Sequence, residues 1–330
     1  MKYRFFRFAC LFLLSLLLVT ACNGTKTVTS PQESPPLRIA YILWPGNFPM
    51  IIAQEKGFFT QQGVKVEPVY LQNYVASLSE FSAGQYDGVA VAMGSLMSIM
   101  GKNPDARVVL VTDQSAGGDA VVVQPNIQSV ADLKGKRIGT KVGDFGELLV
   151  TTMLEKNGLT TDDVTLVNTE AEAIPARLQS GDIQAGQTWN PYLSEAVKAG
   201  AKVLFSTKQA PGLVPNIIVF HGNVLSNRPN DIQAFTRAWF QALDYWQRNP
   251  EESNTLIVKK LKIKLEEVSL DGIDLFSRQD NLKAMTPGTT TESLYYTAKL
   301  YADFYIRTGG LSTSPDIQKS IDPSFVQQLK

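Results

Sequence analysis

The chain reads as an α/β protein of two lobes with a helical C-terminal part, and three observations lead there. Strand-like apolar runs alternate with helical patterns from Leu37 to Thr112. The same alternation restarts after Gly117-Gly118, and helices dominate from Asn230 to Lys330. Such alternation places helices over mostly parallel sheets. With 44% apolar residues, the chain beyond its leader can bury a large core, and it divides in two because single cores stop growing near ~250–300 residues.

Taken in order, Leu37–Leu43 is a strand candidate, Asn47–Lys56 a helix ending at Gly57, and Val64–Tyr70 a strand. Leu78–Gly84 continues as helix, Tyr86–Val91 as strand, Leu96–Gly101 as helix and Arg107–Thr112 as strand. In the second series Arg137–Thr140, Val164–Asn168, Gln184–Gln187 and Lys202–Phe205 are short strands, separated by helices such as Glu147–Asn157 and Ile174–Ser180. After Pro215 the pattern changes, and Phe235, Ala238, Trp239, Ala242 and Tyr245 share one face at helical spacing. Lobe 1 is expected to be discontinuous, 37–115 plus 217–330, with lobe 2 at 116–216. The crossings Ser115–Ala120 and Gln209–Asn216 are rich in glycine or proline, and Gly117, Gly118 and Pro215 are the hinge candidates.

The N terminus carries a separate signal. Lys2, Arg4 and Arg7 precede an apolar run from Phe8 to Val19, and Thr20-Ala21 stand directly before Cys22. The run is shorter than the ~20 residues that a membrane-spanning helix needs. Residues 1–21 resemble a bacterial lipoprotein signal peptide with its lipobox. That resemblance implies cleavage before Cys22 and lipid attachment to its sulfur, hence an exported protein anchored in a membrane. Residues 22–36, polar and punctuated by proline, are expected to be a disordered tether.

Composition closes several routes. Cys10 leaves with the leader and Cys22 is the anchor, so no disulfide or cysteine metal cluster is expected. The single histidine, His221, ends an apolar run and reads as a structural residue rather than a ligand. Neither a metal site nor a cofactor is expected. Loss of Lys2, Arg4 and Arg7 leaves 28 basic against 31 acidic residues. No basic stripe for nucleic acid remains.

Five segments in this order carry a family resemblance: WPGNFPMIIAQEKGFFTQQGVKVE (44–67), SLSEFSAGQYDGVAVA (77–92), DQSAGGDAVVV (113–123), SVADLKGKRIGTKVGDFGELLVTTMLEKNGL (129–159) and AIPARLQSGDIQAGQTWNPY (173–192). They resemble solute-binding proteins of the nitrate/sulfonate/taurine (NMT1/THI5-like) family. The resemblance implies a periplasmic-binding-protein fold of the two-crossover type. It also implies a monomer that captures a small solute and delivers it to the permease and ATPase of an ABC importer.

Ligands of open α/β sheets sit beyond the carboxyl ends of strands. The candidates there are Trp44, Asp113, Asp119, Glu170 and Trp189, with Asn47 at the start of the first helix. Asp144, three residues before Glu147, has the spacing of a capping box at the opening of the helix after Arg137–Thr140. Its carboxylate serves either as a cap or in the site, and either role disfavours an oxyanion there. Acidic strand ends and two indoles favour an amino-, guanidino- or taurine-like nitrogen compound. Nitrate, bicarbonate or an alkanesulfonate is the alternative. A ligand-binding sensor and a pyrimidine-synthesis enzyme are rivals of other classes, and the reading is not an enzyme.

Overall fold

A computed structural model describes residues 34–329. The leader, Cys22 and most of the tether lie outside the described residues. Eleven strands among the described residues form two sheets. The first sheet has the order β11-β4-β10-β3-β1-β2, from β1 (Leu37–Tyr41), β2 (Val66–Tyr70), β3 (Gly88–Ala92), β4 (Arg107–Ser115), β10 (Pro215–Phe220) and β11 (Ile273–Leu275). The second has the order β7-β6-β8-β5-β9, from β5 (Asp119–Val123), β6 (Arg137–Thr140), β7 (Thr165–Asn168), β8 (Ala185–Trp189) and β9 (Lys202–Ser206).

Both sheets are mixed rather than mostly parallel, which corrects the expectation from alternation. β1 runs parallel to β2 and β3, and β6 parallel to β7 and β8. The strands next to the crossings run the other way: β10 is antiparallel to β3 and β4, and β5 to β8 and β9. A chain that passes from one sheet to the other and back enters each new sheet without the helical crossover that enforces parallel pairing.

Burial explains the sequence character of the strands. All five residues of β3 (GVAVA) are buried, as a strand covered on both faces requires. β2 lies at a sheet edge, where Pro68 is tolerated because one side of the strand has no partner. In the second sheet Gly139 and Gly186 are register partners, and a Cβ on either would collide with Ile174. That isoleucine opens α5 (Ile174–Gln179), so the two glycines let the helix sit down on the sheet.

The helices that position the site are α1 (Phe48–Glu55), α2 (Tyr74–Ser82), α3 (Ser95–Lys102), α4 (Phe145–Lys156), α6 (Tyr192–Lys198), α7 (Pro229–Arg248) and α8 (Leu294–Arg307). On α7 the face of Phe235, Ala238, Trp239, Ala242 and Trp246 is buried, while Tyr245 is only half-buried. Trp246 packs on Phe48 of α1. His221 stacks on Phe81 at 4.0 Å between ring centres, and burial lowers its pKa. No helix among the described residues is long and apolar enough to cross a membrane.

Candidate functional site

A narrow cavity of about 20 Å³ lies between the carboxyl ends of the two sheets. Trp44, Asn47, Tyr74 and Asn216 line it from the first sheet and its helices, and Asp119, Phe145 and Trp189 from the second. Of the sequence-derived candidates, the structure brings Trp44, Asn47, Asp119 and Trp189 together here. A larger open groove of about 300 Å³ runs along β11 past Pro215, Asp274 and Lys283, but contains none of the ligand candidates.

The first-sheet wall is held rigidly. Asp113, fully buried on β4, accepts hydrogen bonds from Trp44 Nε1 (3.0 Å), Asn216 Nδ2 (2.8 Å) and Thr112 Oγ1 (2.6 Å). Burial pushes its pKa up to about 6, against the pull of those three donors. It stands behind the cavity wall and fixes two side chains that face inward. Gly46 lies against the same carboxylate, where any Cβ would collide with Asp113 Oδ2.

The second-sheet wall differs. Asp119 and Trp189 are directly opposed on β5 and β8, so their side chains share a face. Asp119 is 3% exposed, and burial pushes its pKa up to about 7, against the pull of the Ser115 hydroxyl and with the Asp113 charge adding to the rise. No lysine, arginine or histidine lines the cavity beside it. Tyr74, Phe145 and Trp189 make a three-ring cluster, with centres 5.9, 5.8 and 5.6 Å apart in the pairs Tyr74–Phe145, Tyr74–Trp189 and Phe145–Trp189. Tyr74 comes from the first sheet's side and the other two from the second, so the rings bridge the cleft.

Asp144 is the N-cap of α4, but the two bonds of a capping box are displaced: its side chain accepts from the first helical residue rather than the third, and Glu147 accepts from the residue before the cap. Its Oδ1 accepts from Phe145 N (2.7 Å), while Glu147 Oε2 accepts from Gly143 N (2.7 Å). The same Oδ1 accepts from Ser95 Oγ (2.8 Å), and Tyr74 OH lies 2.7 Å from that hydroxyl. Ala92 N in turn donates to Tyr74 OH (3.1 Å). A hydrogen-bonded chain thus crosses from β3 through α2 and α3 to α4. Burial pushes the Asp144 pKa up to about 6. Glu170 is not among the lining residues: it pairs with Lys141 Nζ at 2.6 Å and both side chains remain partly exposed.

The two crossings run side by side. Ser115 N donates to Val214 O (2.9 Å), and Pro215 opposes Gln114. Gly117 has φ +127°, open to glycine and strained for other residues, and its N–H donates to Thr207 Oγ1 (2.7 Å). Gly118 N donates to Gly272 O (2.9 Å), and a Cβ on Gly118 would press on the Trp44 indole at 2.9 Å.

Sequence reasoning missed Tyr74, Phe145, Asn216 and Ser95. The signal for Tyr74 was present: Asn73 caps α2 by accepting from Ala76 N, which starts the helix four residues before Leu78.

A family model described as NMT1/THI5 like matches residues 44–253. The chain is similar to a candidate binding protein of Brucella abortus, 26% identical over 280 residues that cover 82% of this chain and 86% of that protein. In structure it is similar to the periplasmic aliphatic sulphonate binding protein SsuA from Escherichia coli, with TM-score 0.73, 20% identity and coverage of 90% of this chain and 94% of that one. It is also similar to the periplasmic nitrate-binding protein NrtA from Synechocystis PCC 6803, with TM-score 0.71, 15% identity and coverage of 90% and 88%. These likenesses make the fold that of the periplasmic binding proteins.

Proposed function

The chain belongs to the NMT1/THI5-like family, and on that premise we propose that it is an exported solute-binding protein that captures a small organic cation or zwitterion. It delivers this solute to the permease and ATPase of an ABC importer. One observation carries the choice of ligand: Asp119 is the only carboxylate lining the cavity, it is buried among aromatic rings, and no basic side chain lines the cavity with it. A buried carboxylate without a counter-charge is costly, so a site that closes over it takes a proton or a cation. Trp44, Tyr74, Phe145 and Trp189 supply ring faces for that cation, and Asn47 and Asn216 supply amides. The cavity is narrow, so an amine or guanidinium of any size enters with the two sheets apart and is enclosed as they approach. The hinge of that motion is Gly117, Gly118 and Pro215, between a lobe of 37–115 plus 217–330 and a lobe of 116–216.

Binding rather than catalysis is the activity proposed. Thermal unfolding of residues 23–330 tests the ligand class against amines, guanidinium, taurine, pyrimidines, nitrate and alkanesulfonates. A solute at ~100 times its Kd adds about 2.7 kcal/mol of stability. The cationic or zwitterionic compounds are expected to raise the transition. The second reading, an oxyanion solute, draws on the sulphonate- and nitrate-binding proteins of like fold, and stabilisation by nitrate or alkanesulfonate alone establishes it in place of the first.

The anchor is proposed at Cys22. Labelled palmitate is expected to enter the wild-type protein and not Cys22→Ser; equal labelling of both removes the lipoprotein reading.

A further inference from the structure

The groove along β11 and the cleft share a wall, made of β4 and β10. Pro215 of β10 pairs with Gln114 of β4, and both line the groove of about 300 Å³. The next pair, Asn216 and Asp113, serves the cleft instead: Asn216 lines the narrow cavity, and Asp113 holds Asn216 and Trp44 in place. Successive residues of the two strands thus serve opposite sides. The charge of Asp274, in the groove, reaches across this wall and adds to the rise in the Asp113 pKa.

The groove is framed by the fold itself. Asn281, fully buried on the short helix Arg278–Ala284, accepts from Val111 N (2.7 Å) and donates to Val111 O (2.9 Å) of β4. Opposite, Thr291 Oγ1 donates to Pro211 O (2.9 Å) and Thr297 Oγ1 to Gly212 O (3.1 Å), which ties that side to the second crossing. The volume reaches the ~300–1,000 Å³ range of small-molecule sites. Its chemistry is two-sided. Leu275, Phe276 and Leu294 give apolar lining, while the carboxylates of Asp274, Asp280 and Glu292 face a single ammonium, that of Lys283. Lys283 Nζ lies 3.2 Å from Glu292. Asp274 and Asp280 accept from neutral donors, Gln114 Nε2 (3.2 Å) for the first and the Ser277 N–H and hydroxyl for the second.

We propose that this groove is a second binding site, for a small organic cation with an apolar body, and that its occupancy is felt in the cleft through the shared wall. The site itself is independent of the reading of the cleft as the solute site. The coupling rests on that reading and is reciprocal, so a groove ligand that shifts solute affinity is shifted by the solute to the same degree.

Phenethylamine, a ring with an ammonium on a short arm, is the probe. It is titrated by calorimetry into Asp119→Asn, which takes the cleft carboxylate out of play, and into the same protein carrying Asp274→Lys as well. The first should bind, and the second should bind about tenfold or more weakly, the scale of one like-charge contact placed in the site. Asp274→Asn keeps an acceptor for Gln114 and decides the matter, with a smaller loss, if Asp274→Lys does not fold. Equal affinity with and without the change at Asp274 overturns the site, and so does an absence of binding. Binding by wild type that is lost in Asp119→Asn places the amine in the cleft, which overturns the groove site and leaves the cation reading standing. Tryptophan emission should change along the same titration of Asp119→Asn, and Trp44→Phe should abolish that change while the heat of binding remains. Heat without any change in emission overturns the coupling.

Discussion

The two walls of the cleft each present a buried aspartate, only six positions apart in sequence, and the two are handled in opposite ways. Asp113 has three donors, from an indole, an amide and a hydroxyl, and works as an internal buttress. Asp119 faces the cavity with one hydroxyl for company, and its pKa stands higher, about 7 against about 6. Burial is nearly equal at the two sites, 0% and 3% exposed, so what differs is the set of donors, three against the Ser115 hydroxyl, and the Asp113 charge that raises Asp119. A carboxylate whose lone pairs are satisfied by its own fold is structural; one left short in a closed cavity points to a partner from outside.

Replacing each aspartate should separate these roles, and the largest effect is expected at Asp119. Asp119→Asn should weaken a bound amine by on the order of 2–5 kcal/mol, the cost of losing one partner of a desolvated charge pair. The same change should leave an anion or a neutral solute unaffected or bound more tightly. Calorimetric titration reads both; an amine affinity unchanged by Asp119→Asn breaks the contrast between the walls.

Asp113→Asn should act more weakly and without regard to ligand charge. It turns three charge-assisted hydrogen bonds into neutral ones and loosens Trp44 and Asn216, a change of roughly 1–2 kcal/mol in stability. Affinity for any solute should then fall together with the unfolding midpoint. A charge-selective loss from Asp113→Asn would mean that this carboxylate meets the ligand after all.

The pH dependence sharpens the same contrast. Asp119 is raised by burial, so it is neutral below about 7 and ionised above. Amine affinity should hold above that value and decline as pH falls through it, by at most about tenfold per unit. Stability without ligand runs the other way. A carboxyl with a native pKa above its unfolded one binds more protons when folded. Its contribution therefore falls as pH rises from the ordinary carboxylate range to about 7. Asp119→Asn should remove part of that slope, measured from unfolding midpoints between pH 5 and pH 8, and an unaltered slope would place the titration elsewhere.

Smaller again is the expected change in shape. Closure about Gly117, Gly118 and Pro215 should lower the radius of gyration on saturation with ligand, read by small-angle scattering. An unchanged radius would count against the hinge while leaving the two walls as described.

The contrast between the walls was only partly legible in the sequence. β6 begins and ends where apolar patterning puts it, and the strand ends that carry Trp44 and Trp189 are marked by helix starts beyond them. Asp113 and Asp119 look alike from the sequence, since each terminates or opens a strand. What separates them is a register irregularity in the pairing of β10 with β4, between Asn216 and Ile217, next to Asp113. A bulge of this kind turns the strand, so counting alternate residues across it does not tell which side chain faces the cavity. Asp144 shows another limit: spacing identifies a cap, but Ser95 reaches it from 49 residues away, and only the tertiary fold brings the starts of α3 and α4 together.

The central claim is that the Asp119 carboxylate recognises a positive nitrogen. It is tested most directly by a cycle of two proteins and two ligands. The best-binding amine of the thermal panel and its isostere, with a methyl group in place of the ammonium, are titrated into wild type and Asp119→Asn. The predicted result is that wild type prefers the amine strongly and that the preference collapses in Asp119→Asn. A preference of equal size in both proteins, or a best binder that is an anion, would contradict it.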